Sequence, residues 1–293
     1  MPPRALLLIN PAARRGNDAG QEAREILERS GLDLRVVTSF EPRQVADIIR
    51  REQPAIDRVI AAGGDGTLNA VLQGLVGTGL PLGILPVGTA NNLARTLQLP
   101  TSLREAAEVA AGGSRRAIDL GSVNGHYYFT TASIGLSVRI AEELTPETKR
   151  RWGALAYGVT AFRTLTRTHP FTAEIRWAGG ARHSRTIQIV VGNGRYYGSA
   201  LPVAEDASIE DSRLDLYSLE VRHWWQVLTL APSLARGRHG RKRSVEALRA
   251  TAFEIRTPVP MDINADGEIR TQTPGTFKVM PRALEVFVSD GSR

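Results

Sequence analysis

Over about the first 120 residues, the apolar positions follow two periods in turn. Short apolar runs at Ala5 to Ile9, Leu34 to Thr38, Arg58 to Ala62 and Leu82 to Leu85 each stop at turn residues and predict strands. Between them the spacing lengthens to that of a helix. Ala19 to Ser30 is closed by Gly31, Gln44 to Gln53 carries Val45, Ile48 and Ile49 on one face, and Leu68 to Val76 follows the third strand. Ser102-Leu103-Arg104-Glu105 predicts a capping box that opens a helix stopping at Gly112-Gly113. Strands alternating with helices at this spacing predict an α/β domain whose parallel sheet is covered on both faces.

Beyond Arg115 the strand-like runs lose their intervening helices. They are Ala117 to Val123, Tyr127 to Ser133, Phe171 to Trp177, Thr186 to Gly192, Leu214 to Val221, Ala252 to Arg256 and Leu284 to Val288. Turn dipeptides such as Asn124-Gly125 and Gly179-Gly180 separate several of them. Helical patterns near Lys149 to Thr168 and Trp224 to Ala235 interrupt a domain that otherwise reads as mainly antiparallel β. The expected division is an α/β domain over 1–124 and a β-rich domain over 125–283.

Composition narrows the chemistry. The chain has 293 residues, with 37 Lys and Arg against 30 Asp and Glu, a formal charge of +7. That excess favours anionic partners such as phosphate compounds, nucleic acid or an acidic membrane surface, although seven charges alone are weak evidence. There is no cysteine, which excludes disulfides, thiolate zinc sites and cysteine nucleophiles and is compatible with a cytoplasmic location. No apolar run is long enough for a secretory signal or a spanning helix. The five histidines stand at 126, 169, 183, 223 and 239 without metal-ligand spacing. No serine has a Gly-x-Ser-x-Gly setting, which argues against a serine hydrolase.

The strongest local pattern is Gly63-Gly64-Asp65-Gly66-Thr67-Leu68-Asn69, where a buried strand runs through glycines into a helix. Glycines let backbone N–H groups approach a phosphate, and the helix points its positive end at the same place. Thr67 can cap that helix or donate to a phosphate oxygen. Asp65 would repel phosphate, so a magnesium ion, a water or a positive side chain suits it better. An ordinary strand-to-helix turn explains the loop equally well taken alone. Yet Asn10, Thr38, Asp65 with Thr67, and Thr89 all follow consecutive strands, and in an open α/β sheet ligands sit at the carboxyl ends of strands.

Taken together the motifs resemble the diacylglycerol kinase catalytic-domain family, which includes bacterial soluble lipid kinases and relatives of sphingosine and ceramide kinases. The resemblance rests on Asn10-Pro11, the glycine loop, and Pro86-Val87-Gly88-Thr89-Ala90-Asn91-Asn92. It continues through Val191-Gly192-Asn193-Gly194-Arg195-Tyr196 and Ala204-Glu205-Asp206-Ala207 to Asp211, and closes with Asp266-Gly267-Glu268. It implies an α/β nucleotide-binding domain and an antiparallel β-sandwich domain, with the active site in the cleft between them and the last strand, 284–293, returning to the first. It implies that ATP contacts Asn10, Thr38, Gly63, Gly64, Asp65, Gly66, Thr67, Leu68, Asn69, Ala70 and Thr89. It places magnesium at Asp211, with Ser208 and Arg213 contributing backbone oxygens. Glu268 is the implied proton acceptor, and Asp266 assists it through a hydrogen-bond network or the metal. Without the resemblance, Asp266-Gly267-Glu268 would read as a hairpin turn.

Three departures stand out: Arg14-Arg15 in the first loop, Ala70 in place of a glutamate common in relatives, and Ser199-Ala200-Leu201 where relatives carry more glycines. The expected activity is ATP- and magnesium-dependent phosphorylation of a lipid hydroxyl, diacylglycerol or a related lipid alcohol. The alternatives are a soluble NAD-kinase-like enzyme and a non-catalytic nucleotide- or lipid-binding regulator. Lys149-Arg150-Arg151-Trp152, and His223 to Ala231 followed by the basic Arg236 to Arg243, suit peripheral contact with an anionic membrane. A core helix and a solvated loop are equally good readings of each. A homodimer is compatible with the sequence, and nucleic acid is not expected.

Overall fold

The computed structural model describes residues 2–11, 16–38, 41–143, 160, 162–193, 196–197, 201–202, 208–221, 226 and 245–290. The chain divides into two compact units. One holds the residues up to Leu120 and those from Met280 on; the other holds most of the chain between. The divisions fall four residues before those expected from sequence, inside strands rather than in loops.

The first unit runs β1 (Arg4–Ile9), α1 (Gly16–Arg29), β2 (Asp33–Val37), α2 (Val45–Glu52), β3 (Arg58–Gly63), α3 (Asp65–Leu75), β4 (Leu82–Pro86), α4 (Asn92–Thr96), α5 (Leu103–Gly112) and β5 (Ser114–Val123). Its parallel sheet has the order β2-β1-β3-β4, extended by the end of the last strand, where Val286 pairs with Leu82. β1, β3 and β4 are almost wholly buried, so they read as continuous apolar runs rather than alternating ones. Leu7, Ile60 and Leu85 from the sheet pack with Ala23 and Leu27 of α1 and Ala106, Ala107 and Ala110 of α5. Small alanines let α5 lie close to the sheet: a Cβ on Gly83 would stand 2.8 Å from that of Ala110. Ser102 precedes α5, but its side chain makes no capping bond, so the capping box expected from sequence does not form.

The second unit contains β6 (His126–Tyr128), β7 (Thr131–Gly135), α6 (Leu136–Glu143), β8 (Phe171–Trp177), β9 (Gly180–Thr186), β10 (Gln188–Gly192), the short β11 (Tyr196–Tyr197) and β12 (Leu201–Pro202), and β13 (Leu214–Leu219). It continues with β14 (Val245–Ala250), β15 (Ala252–Arg256), β16 (Asp262–Ala265), β17 (Glu268–Gln272) and the start of β18 (Gly275–Val288). One antiparallel layer has the order β18-β15-β8-β9 and the other β14-β13-β10-β7-β16-β17. Ile175, Phe253, Ile255 and Phe277 of the first layer meet Ile134, Ile189, Val191 and Leu216 of the second in a common core. Each such side chain contributes about 1.5–3 kcal/mol on burial.

The sequence pattern merges several of these elements. Tyr127 to Ser133 reads as one strand, yet it is two: β6 pairs with β5 in one layer, and β7 pairs with β10 and β16 in the other. The chain changes layer at Phe129 and Thr130. Strands β9, β14, β16 and β17 and helix α6 also lack a distinct signal. Helix α3 begins at Asp65, three residues before the apolar period suggests, because its first turn is made of polar and small residues.

Candidate active site

In the first unit the parallel pairing puts the carboxyl ends of β1 to β4 on one edge. The strand order reverses direction between β1 and β3, the kind of switch point at which open α/β sheets take ligands. Asn10 follows β1, and Gly64 to Thr67 follow β3. The two meet directly: the Asn10 side-chain amide donates to Thr67 Oγ1 at 2.9 Å. Thr67 is buried and lies inside the first turn of α3, so it ties the two loops together and is not the helix cap. The cap is Gly64, which offers no side-chain acceptor to the first-turn N–H groups. That end of the helix is therefore suited to an external anion.

The glycines of the loop divide by function. A Cβ on Gly63 would lie 2.4 Å from Thr67, and one on Gly88 would lie 2.4 Å from the Gly64 Cα. Those glycines permit packing inside the protein. Gly66 faces open space and is exposed. It is the glycine of this loop at which a side chain would meet no protein atom.

Asp65 stands beside it, but its Oδ1 accepts the Asn92 backbone N–H at 2.8 Å, binding the β3 loop to the start of α4. Asn91, with a left-handed φ of 50°, accepts from the Gly88 N–H and donates to the Pro86 and Gly88 carbonyls. These two residues shape the second loop. Thr89 at its tip is exposed, as is Thr38, which follows β2 level with Ile9.

Three of the residues expected to bind ATP carry side chains that face inward. Leu68, Asn69 and Ala70 are 2%, 0% and 4% exposed, and the Leu68 N–H already donates to the Gly64 carbonyl. The free backbone donors of this loop lie in the first turn of the helix, and the Asn69 side-chain Nδ2 is buried with no hydrogen-bond acceptor among the described residues.

In the second unit, Asp266 and Gly267 have φ of 47° and 94°, which makes them the central pair of a two-residue hairpin between β16 and β17. The Asp266 carboxylate accepts four bonds: Oδ2 from the Phe129 N–H at 2.6 Å, and Oδ1 from the Thr130 N–H, the Thr130 hydroxyl and the Thr131 N–H at 3.0, 2.6 and 3.1 Å. This is where the chain changes layer between β6 and β7. From the other side, Asn193 donates its side-chain amide to the Phe129 carbonyl and its N–H to the Thr130 carbonyl, each at 2.8 Å. Burial pushes the Asp266 carboxyl above its ordinary value, opposed by those four donors. The fully buried Tyr128 phenol is raised far above its own, by desolvation first and by the Asp266 charge second. Both oxygens of Asp266 are thus engaged in a hydrogen-bond network within the second unit.

Glu268 opens β17. Its Oε2 pairs with Arg270 at 2.6 Å, and its side chain is 38% exposed. It is the acid of the hairpin that remains reachable. Sequence reading passed over Arg270, although alternation along a strand places residues 268 and 270 on one face. It also gave Asn193 and the Phe129–Thr131 turn no role.

The loop holding Ser208, Asp211 and Arg213 folds on itself: the Glu210 N–H donates to Ser208 Oγ at 3.2 Å and the Arg213 N–H to Asp211 Oδ1 at 3.0 Å. Its donors are oxygen only, the set that magnesium takes. Among the described residues no three His, Asp or Glu side chains gather to hold a metal, so a cation here would draw on backbone oxygens and water. Arg14-Arg15, Gly194-Arg195, Ala204 to Ala207, Ser199-Ala200, Lys149 to Trp152 and Arg236 to Arg243 lie outside the described residues.

A doubly wound sheet with an anion-suited glycine loop is joined in one chain to an antiparallel sandwich bearing an accessible acid, and comparison with known proteins gives the class to which this arrangement belongs. A family model described as the diacylglycerol kinase catalytic domain matches residues 4–123, and one described as the YegS C-terminal NAD kinase beta sandwich-like domain matches residues 130–288. The chain belongs to the diacylglycerol kinase catalytic-domain family. It is 32% identical to a "Probable lipid kinase YegS-like" of Pectobacterium atrosepticum, over 96% of this chain and 95% of that protein. It is 30% identical to a "Diacylglycerol kinase" of Bacillus subtilis, over 79% and 78%. The crystal structure of a diacylglycerol kinase from Bacillus anthracis superposes with a TM-score of 0.83 at 22% identity, covering 98% of this chain and 97% of that one. The protein is thus a lipid kinase by family, a transferase for which the family implies ATP as donor. No helix among the described residues is long and apolar enough to cross a membrane.

Proposed function

We propose that the protein transfers the γ-phosphoryl group of ATP to the hydroxyl of a lipid alcohol, diacylglycerol or a close relative, with magnesium. The observation that carries this reading is the Asp266-Gly267-Glu268 hairpin. Its aspartate is consumed by the Phe129–Thr131 turn, while its glutamate stays accessible. In the reaction, Glu268 accepts the proton of the lipid hydroxyl as that oxygen bonds to the γ-phosphorus. The bond from the γ-phosphorus to the bridging oxygen breaks, and ADP leaves with that electron pair.

Phosphate binding falls to the first turn of α3, at Gly66 and the N–H groups beside it. Asn10 borders that turn, and Thr38 and Thr89 lie on the same sheet edge. Magnesium, held by Asp211 and the Ser208 and Arg213 carbonyls, would supply positive charge for the phosphates. Asp65 shapes a loop in this scheme and does not hold the ion. Tryptophans and cations in Lys149 to Trp152 and His223 to Arg243 support peripheral docking on an anionic bilayer, read as binding to anionic but not neutral vesicles.

ATP consumption with magnesium across diacylglycerol, other lipid alcohols, sphingosine and NAD tests the reading. Phosphorylation of a lipid alcohol is expected. Turnover of NAD alone, or of none of them with ATP still bound, would overturn it.

A further inference from the structure

Among the described residues, four glutamates pair with an arginine two residues away along the chain: Glu41 with Arg43, Glu174 with Arg176, Glu254 with Arg256, and Glu268 with Arg270. Their distances are alike, between 2.6 and 2.7 Å, but their surroundings are not. The first three arginine side chains are 84%, 47% and 52% exposed. Such pairs exchange readily with water and hold neither partner firmly. Arg270 is 24% exposed, and its Nε is buried with no hydrogen-bond acceptor among the described residues. Burying a guanidinium nitrogen without an acceptor is costly. A side chain that served only as a surface counter-ion would turn that nitrogen to water. Arg270 is instead wedged against the protein, with its NH2 group presented to Glu268.

The polarity of the pair is also telling. The arginine is the more buried member and the glutamate the more accessible. The contact uses Oε2 of Glu268, so the same carboxylate retains Oε1. Asp266 cannot hold Glu268 in this way, because a carboxylate has no N–H to donate and its oxygens accept from Phe129 to Thr131.

We infer that Arg270 is a positioning residue for phosphoryl transfer: it anchors Glu268 through Oε2 and so aims Oε1 at the proton of the acceptor hydroxyl. This inference rests on the reading of Glu268 as the base. Restricting a carboxylate to one orientation lowers the cost of reaching the reactive arrangement, and a small misplacement of such a group costs rate and not binding.

The test is a double-mutant cycle on the full chain, using the best acceptor from the lipid panel. Arg270→Met keeps the apolar stem and removes the anchor. It is expected to lower kcat about 10- to 100-fold, with KM for ATP and for lipid held within about twofold. Arg270→Lys, which restores a cationic donor, should recover most of the loss. In a Glu268→Gln background, Arg270→Met should cost nothing more. Wild-type kcat in Arg270→Met, or a full additional loss in the Glu268→Gln background, would overturn the inference while leaving Glu268 as the base. Wild-type kcat in Glu268→Gln alone would overturn the base reading itself. If Arg270→Met does not fold, Arg270→Gln and Arg270→Lys carry the same comparison, with Lys expected to exceed Gln in kcat.

Discussion

The glycine loop of the first unit and the hairpin of the second are built on one plan. Each has an aspartate beside a glycine at a turn, and each aspartate carries an expected part in the chemistry. In each the carboxylate instead accepts backbone N–H groups from a second loop: Asn92 for Asp65, and Phe129 to Thr131 for Asp266. In the proposed function the positions that meet substrates lie one or two residues further on, at Gly66 and at Glu268. The difference is one of degree. Asp65 fastens the start of a five-residue helix, whereas Asp266 holds the point where the chain passes from one layer of the sandwich to the other. The lesson is that a carboxylate among glycines can be the fastener of a site whose working group is its neighbour.

The comparison predicts a ranked set of stabilities. Asp266→Ala strands three backbone N–H groups and a hydroxyl, and should cost about 3–5 kcal/mol, read as a lower urea midpoint. Gly88→Ala drives a Cβ into the Gly64 backbone and should cost about 1–3 kcal/mol. Thr67→Val removes the acceptor for Asn10 at nearly constant volume and should cost about 1 kcal/mol. Gly66→Ala places a methyl in open space within a helix. It should raise stability by about 0.5–1 kcal/mol while weakening ATP binding about tenfold, measured by calorimetry. If Gly66→Ala instead destabilises the fold and leaves ATP affinity unchanged, Gly66 is a packing glycine like its neighbours.

The α/β unit was legible from its pattern because buried parallel strands are uninterrupted apolar runs, and Gly31 and Gly112-Gly113 mark helix ends plainly. The sandwich was less so. The change of layer at Phe129 and Thr130 leaves no trace in hydropathy: Tyr128, Phe129 and Ala132 are apolar on both sides of it, and what bends the chain is a carboxylate 136 residues away in sequence. Edge strands β9 and β17 are too polar to stand out. At the site, residue identity pointed to the glycine loop and the hairpin but not to which side chains fasten them. Whether a glycine serves a ligand or a neighbouring backbone depends on what lies within 3 Å of its absent Cβ, which no local pattern records.

The central claim is that Glu268, and not the aspartate beside it, takes the proton from the lipid hydroxyl. Its most direct test is turnover of the best lipid acceptor by Glu268→Gln, with ATP affinity and urea midpoint measured on the same preparation. A fall in kcat of about 100- to 10,000-fold, with affinity and midpoint unchanged, is the predicted result; wild-type turnover would contradict it.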